Sequence, residues 1–204
     1  QEINQYIDDV VIPNNKDYSD KLVGQLKGEK SAQLDFPLKG HETGEQFKKV
    51  LENLGKSFVQ KPYNRMSSVE CFECWTVHSY EGDYNPMHDH GVRTQSGLSC
   101  ILYLKVPDSI KNKPEVEVPN LNHASGVIDG WTQFEWGANT MKDIYQLREQ
   151  TQHVVRPVEG KLLMFPCWLN HMVWPFKGEG ERRTLSANFN IHDSPEVTKQ
   201  FAER

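Results

Sequence analysis

Tyr84-Asn-Pro-Met-His88-Asp-His90-Gly91 is the stretch that decides how this chain reads. Residues two apart on a strand point to one face, so His88 and His90 can grip one ion while Asp89 points away. Asp89 remains a fallback ligand if the strand ends early and twists; otherwise it orients an imidazole or faces solvent. A third imidazole comes from far downstream, His171 of Phe165-Pro-Cys-Trp-Leu-Asn-His171, delivered by the apolar strand Gly160-Lys-Leu-Leu-Met-Phe165-Pro. Three ligands on one side of an octahedral ion leave the opposite positions open to other molecules.

Eleven residues beyond His171 begins Arg182-Arg-Thr184-Leu-Ser186-Ala-Asn188-Phe. Alternation puts Arg182, Thr184, Ser186 and Asn188 on one face and Arg183, Leu185, Ala187 and Phe189 on the other. A guanidinium with a hydroxyl two residues on is a clamp for a carboxylate, because Arg donates two parallel hydrogen bonds and Thr a third. A metal beside a fixed positive group suits a dicarboxylate that chelates with one end. If the register slips by one residue, Arg183 takes the place of Arg182. His41, His78, His123, His153 and His192 have no such company and read as surface or core residues.

Around these motifs the texture is that of a two-sheet all-β domain. Strands are expected near 69–79, 98–106, 126–136, 152–158, 161–166 and 183–191. Glu81-Gly-Asp83 makes the turn into the strand of His88 and His90, and Lys177-Gly-Glu-Gly180 the last hairpin loop. Upstream, Phe47, Val50, Leu51, Leu54 and Phe58 recur at three and four residues, the stripe of an amphipathic helix over 44–60 that packs on the outside of a sheet. Residues 107–122 read as a long loop, and 137–150 as an irregular piece with a short helix from Met141. Trp131, Trp136, Trp168 and Trp174 are candidates for an aromatic wall at the site, with simple packing the plainer reading.

At 204 residues the chain suits one domain: a helical and loop segment at 1–62, a barrel core at 63–192 and a tail at 193–204. A net charge of −5 with dispersed Lys and Arg excludes an electrostatic footprint for nucleic acid. The mean hydropathy of −0.68 is polar. Even so, nine Phe, seven Tyr and five Trp supply enough large apolar surface to fold. Residues 1–20 lack the pattern of a signal peptide, and no run is long enough for a membrane helix. Cys71, Cys74, Cys100 and Cys167 fit reduced, buried thiols and a cytoplasmic setting. Cys71-Phe-Glu-Cys74 alone is a weak redox or zinc signal.

Taken together, Gly82-Asp-Tyr84-Asn-Pro-Met-His88-Asp-His90, Leu98-Ser-Cys-Ile-Leu-Tyr103-Leu, Gly160-Lys-Leu-Leu-Met-Phe165 through His171-Met-Val-Trp-Pro175, and Arg182-Arg-Thr184 resemble the iron(II)- and 2-oxoglutarate-dependent dioxygenases. The resemblance spans Trp75 to Asn190 and is strongest to a branch common in bacteria and phages. It implies a double-stranded β-helix, the jelly-roll barrel, braced by the N-terminal helix. It implies iron(II) on His88, His90 and His171, and 2-oxoglutarate with its distal carboxylate on Arg182 and Thr184. Tyr103 would hydrogen-bond that carboxylate, or be a core tyrosine at the barrel edge, and Tyr84 would help from the strand before the histidine pair. The implied reaction hydroxylates an unidentified substrate C–H, a prolyl or other protein side chain being the first candidate, with succinate and carbon dioxide as co-products. The commonest version of the family has His-x-Asp where this chain has His88-Asp-His90, although the branch in question uses His-x-His. Two other readings stay open: a three-histidine dioxygenase of cupin type that needs no 2-oxoglutarate, and a non-catalytic jelly-roll module holding a structural ion or none.

Overall fold

The computed structural model describes residues 1–63, 65–94, 96–113, 127–137 and 144–202, and among these nine strands form two antiparallel sheets. The larger sheet has the order β1 (Ala32–Asp35), β2 (Ser67–Ser79), β9 (Arg182–Asp193), β4 (Gly97–Lys105), β7 (Leu162–Pro166). The smaller has the order β3 (Asn85–His88), β8 (Asn170–Val173), β5 (Thr132–Glu135), β6 (Gln152–Val155). From β2 onward the chain crosses between the sheets at nearly every step, which is the winding of a double-stranded β-helix.

That winding corrects the hairpin expected at Lys177-Gly-Glu-Gly180. The loop leaves β8 in the smaller sheet and enters β9 in the larger, so it turns a corner of the barrel instead of joining partners. The strand expected over 126–136 is only Thr132–Glu135, because residues 127–130 form a turn. Gly130 ends that turn at φ +72, where an added Cβ would meet Ile110 Cδ1 at 2.3 Å. Strands β1 and β8, four residues each, fall outside the expected strands. The segment read as a tail contains a helix, Pro195–Ala202. Residues 114–122 of the expected long loop and 138–143 of the irregular piece lie outside the described residues.

A helix over Glu42–Tyr63 lies on the outer face of the larger sheet. Its stripe is rotated from the expected one: Leu51 is fully buried and Phe47 and Phe58 are half-buried, but Val50 and Leu54 are exposed. The reason is Gly55. A Cβ there would lie 2.8 Å from Val69 Cγ1, so helix and sheet approach more closely than a side chain allows. Gly55→Leu is therefore expected to cost about 1–3 kcal/mol by overpacking, read as a lower urea midpoint at unchanged slope.

The interior of the barrel owes its shape to a bulge in β2. Cys71 pairs with Phe189 and Glu73 with Asn188, leaving Phe72 as the extra residue. Before the bulge Val69 and Cys71 face the helix; after it Cys74 does, and Glu73, Trp75 and Val77 turn inward. The bulge also accounts for Cys71-Phe-Glu-Cys74, two thiols three residues apart that share one core face. All four cysteines are free and buried. Burial pushes the Cys71 and Cys74 thiols up, so neither offers a ready thiolate. No helix of the described residues is long and apolar enough to cross a membrane.

Candidate active site

His88 ends β3, and His90 lies just past the strand, where its backbone N–H donates to Cys167 O at 2.9 Å. His171, on β8, is the cross-strand partner of His88. The candidate ligand nitrogens of all three lie within 4.8 Å of one another. Two hydrogen bonds fix how two of the rings are protonated. His88 Nδ1 donates to Pro86 O at 2.7 Å and His171 Nδ1 to Leu169 O at 3.0 Å, which leaves both Nε2 lone pairs free. His90 Nε2 stands 3.2 Å from His171 Nε2. Two nitrogens at right angles on one ion, each about 2.1 Å from it, are about 3 Å apart, so this spacing fits a shared metal. Asp89 lines the same cavity without joining the ligand cluster.

Burial lowers the basicity of all three rings. His90 is pushed down to about 3, with His171 and His88 adding to the effect, and His171 to about 4, with His88 adding. His88 shifts in the same direction, mainly through burial. At neutral pH the site thus presents uncharged imidazoles, the form that binds metal. These depressed values give the ion-free protein stability that is complete above the ordinary histidine value, near 6.5, and lost as pH falls toward 4 and below. Urea midpoints of the ion-free protein should therefore drop between pH 7 and pH 4.5, and drop less in His90→Ala/His171→Ala.

The three histidines open onto a cavity of about 90 Å³, into which β9 presents Arg182, Thr184, Ser186 and Asn188, the face given by alternation. Arg182 is 2% exposed; its Nε donates to Gly130 O at 2.9 Å and its Nη2 has no hydrogen-bond partner. No acidic side chain among the described residues pairs with it. Arg183 points the other way and is taken up by Glu181 and Asp8, each at 2.7 Å. A buried, unsatisfied guanidinium N–H facing a cavity is costly unless a ligand completes it, and the acceptor that suits it is a carboxylate.

Two candidates stand outside the cavity wall. Tyr103 is fully buried, its hydroxyl shared with Thr132 Oγ1 at 2.7 Å, and its ring centroid is 5.4 Å from the Arg182 guanidinium carbon. It touches the arginine and does not face the cavity. Tyr84 pairs through its backbone with Gln25. The four tryptophans proposed as a wall do not line the cavity either: Trp131 is in the core, Trp136 and Trp168 are exposed, and Trp174 Nε1 donates to Gln133.

The aromatic wall is Trp75, against which the His90 ring packs at a centroid distance of 5.9 Å. Tyr18 stacks on Trp75 from outside, and the strap that follows it brings Lys21, Leu22 and Val23 to the cavity. Buried Asp83 pins the strap, accepting from Lys27 N at 2.8 Å and from Ser31 Oγ. Gln33, on β1, completes this side. None of this strap is visible in sequence, because residues 16–31 have no period and the side chains that anchor it over the cavity, Glu73, Trp75 and Asp83, are more than fifty residues away.

A family profile described as "Putative 2OG-Fe(II) oxygenase" matches residues 73–188, more than half of the chain. The chain belongs to this family. The matched span holds the three histidines, Arg182 and Thr184, so the protein is a 2-oxoglutarate-dependent oxygenase, an oxidoreductase. Solved structures agree on the fold. A prolyl-4-hydroxylase from Pseudomonas putida is 15% identical with a TM-score of 0.51, covering 95% of this chain and 83% of that one. An oxidoreductase of the 2OG-Fe(II) oxygenase family from Burkholderia pseudomallei is 12% identical with a TM-score of 0.53, covering 87% and 76%. The carbocyclase SnoK of nogalamycin biosynthesis, described as non-heme and alpha-ketoglutarate dependent, is 9% identical with a TM-score of 0.60, covering 100% and 80%. At such identities the likeness is one of fold. No curated protein matches the chain.

Proposed function

We propose that this oxygenase hydroxylates an aliphatic C–H bond, with iron(II) held by His88, His90 and His171 and the distal carboxylate of 2-oxoglutarate taken by Arg182 and Thr184. The observation that carries this reading is Arg182, which lines the same cavity as the three imidazoles and whose buried Nη2 has no hydrogen-bond partner. The donor set suits both groups: neutral imidazoles suit iron(II), though also zinc, copper and nickel, and the guanidinium suits a carboxylate. A three-histidine dioxygenase without 2-oxoglutarate would have no use for a buried, acid-free arginine.

When bound, iron and 2-oxoglutarate would supply the oxidation of the substrate C–H with dioxygen as the four-electron oxidant, one oxygen atom entering the new hydroxyl and the other succinate, and carbon dioxide leaving. The chain's own contribution is placement. Arg182, steadied by Gly130 O and by the Tyr103 ring, fixes one end of the cosubstrate, and the Thr184 hydroxyl adds a donor. Leu22, Val77, Ile101 and Val173 line the cavity with apolar surface that excludes water. A protein side chain is the substrate class we favour, and a prolyl peptide is the first to try, by analogy with the Pseudomonas enzyme's name.

The test is succinate formation by purified protein given iron(II), ascorbate and 2-oxoglutarate. Slow turnover without a second substrate is expected, accelerated by the right one and abolished in Arg182→Ala. Full activity in Arg182→Ala would sink the clamp.

A further inference from the structure

His88 and His171 each have Nδ1 committed to a backbone carbonyl, and His90 does not. Its Nδ1 faces Asn188 Nδ2 at 3.2 Å. Asn188 sits in a row across three strands, between Glu73 on β2 and Ser99 on β4. Its Nδ2 donates to Glu73 Oε1 at 2.6 Å, and its Oδ1 accepts from Ser99 Oγ at 2.7 Å. Glu73 in turn accepts from the Tyr18 hydroxyl at 2.6 Å. A carboxylate oxygen can only accept, so the amide must turn its NH₂ toward Glu73, whereas Ser99 is compatible with either orientation. The amide hydrogen not used by Glu73 then meets His90 Nδ1.

We propose that Asn188, held in this orientation by Glu73, determines which nitrogen of His90 carries the proton and thereby how readily His90 serves as the third metal ligand. Glu73 and Asn188 are positioning residues, and the inference rests on the metal-site reading above. With Nδ1 accepting from Asn188, the His90 proton resides on Nε2 and points at His171 Nε2, 3.2 Å away. His90 is then the opposite tautomer from its two neighbours. For its Nε2 to bind an ion, the proton must move to Nδ1, where an acceptor is needed. Asn188 can supply one by turning its amide over, placing Oδ1 against His90 and Nδ2 against Ser99. Glu73 opposes that turn, because it would bring two acceptor oxygens together at 2.6 Å. The bulge at Phe72 underlies the arrangement: without it Glu73 would face the helix and Asn188 would be free to turn.

Nitrogen-15 correlation spectra of the ion-free full chain read the tautomers directly. His88 and His171 are expected as Nδ1–H and His90 as Nε2–H. In Glu73→Gln, the new amide keeps its bond to Tyr18 and can donate to a turned Asn188. The His90 proton should then shift to Nδ1, and affinity for cobalt(II), used as the probe metal, should rise about tenfold, within the range of groups that orient metal-bound histidines. A merely structural Glu73 would not move the His90 spectrum. The proposal is overturned if wild-type His90 is already Nδ1–H, or if Glu73→Gln leaves both the tautomer and the cobalt(II) affinity within twofold of wild type. Cobalt(II) binding that is absent, or unchanged in His88→Ala, would instead remove the metal-site reading and with it the affinity half of the proposal, while the spectra of the ion-free chain would still judge the tautomer.

Discussion

Arg182→Met is expected to abolish 2-oxoglutarate-dependent turnover while making the ligand-free protein more stable. Hydrogen bonds to charged groups contribute roughly 1.5–3 kcal/mol each, so loss of a two-bond clamp weakens the cosubstrate by about 3 kcal/mol or more, a factor of at least roughly 100. Stability moves the other way. The guanidinium is fully enclosed without a carboxylate, burial draws it below its ordinary value, and its Nη2 is unsatisfied. Replacing a buried charge by an apolar side chain of similar length is often neutral or stabilising by about 1–4 kcal/mol. The cost is the Gly130 carbonyl, which loses its Nε donor. A net rise in the urea midpoint together with lost succinate formation would mark Arg182 as a residue kept for ligand binding at the expense of the fold. A large fall in stability would show that Arg182 is chiefly a structural member of the core, tied to Gly130 and Tyr103.

How much of this was legible beforehand depended on whether a residue's role is local. Arg182, Thr184, Ser186 and Asn188 share a face because a strand alternates, and alternation survives any tertiary context, so β9 was readable to the side chain. The stripe of the long helix was read one residue group out of place because Gly55, the residue with no side chain to count, is the point of closest approach. Trp75 and Glu73 were invisible as site residues for a related reason. Their inward direction is set by a one-residue bulge that breaks the alternation from which direction is inferred. The strap over residues 16–31 has no period at all and is held by Asp83, Tyr18 and Trp75, contacts that only the fold creates. For Tyr103 the resemblance leaves two readings, a partner of the carboxylate or a core tyrosine at the barrel edge, and its hydroxyl meets Thr132 in a pairing between the two sheets that no strand pattern reports.

His171→Ala and His90→Asp should part sharply, although both replace one of the three imidazoles. His171 is 3% exposed, packed against Phe165 at 4.9 Å and Phe134 at 5.9 Å, and its Nδ1 bond to Leu169 O holds its Nε2 toward the site. Its removal leaves two ligands, and among the described residues no further ligand joins their cluster, Asp89 lining the cavity outside it. Metal affinity should fall by well over roughly 100-fold, since even groups that only orient a ligand are worth 10–100-fold, and succinate formation should vanish. Position 90 differs because of what faces it. Asn188 Nδ2, fixed by Glu73, offers a hydrogen to that position, which suits a carboxylate better than an imidazole that must find an acceptor for its own proton. The carboxylate of His90→Asp would also restore the negative charge of the two-histidine, one-carboxylate set and favour iron(II) over softer competitors. Iron(II) affinity in His90→Asp is therefore expected to match or exceed wild type, measured by titration of the ion-free protein, with cosubstrate turnover retained. Metal binding as weak as in His171→Ala would show that the cavity requires an imidazole at this position, and that the Asn188 hydrogen does not point where a carboxylate could use it.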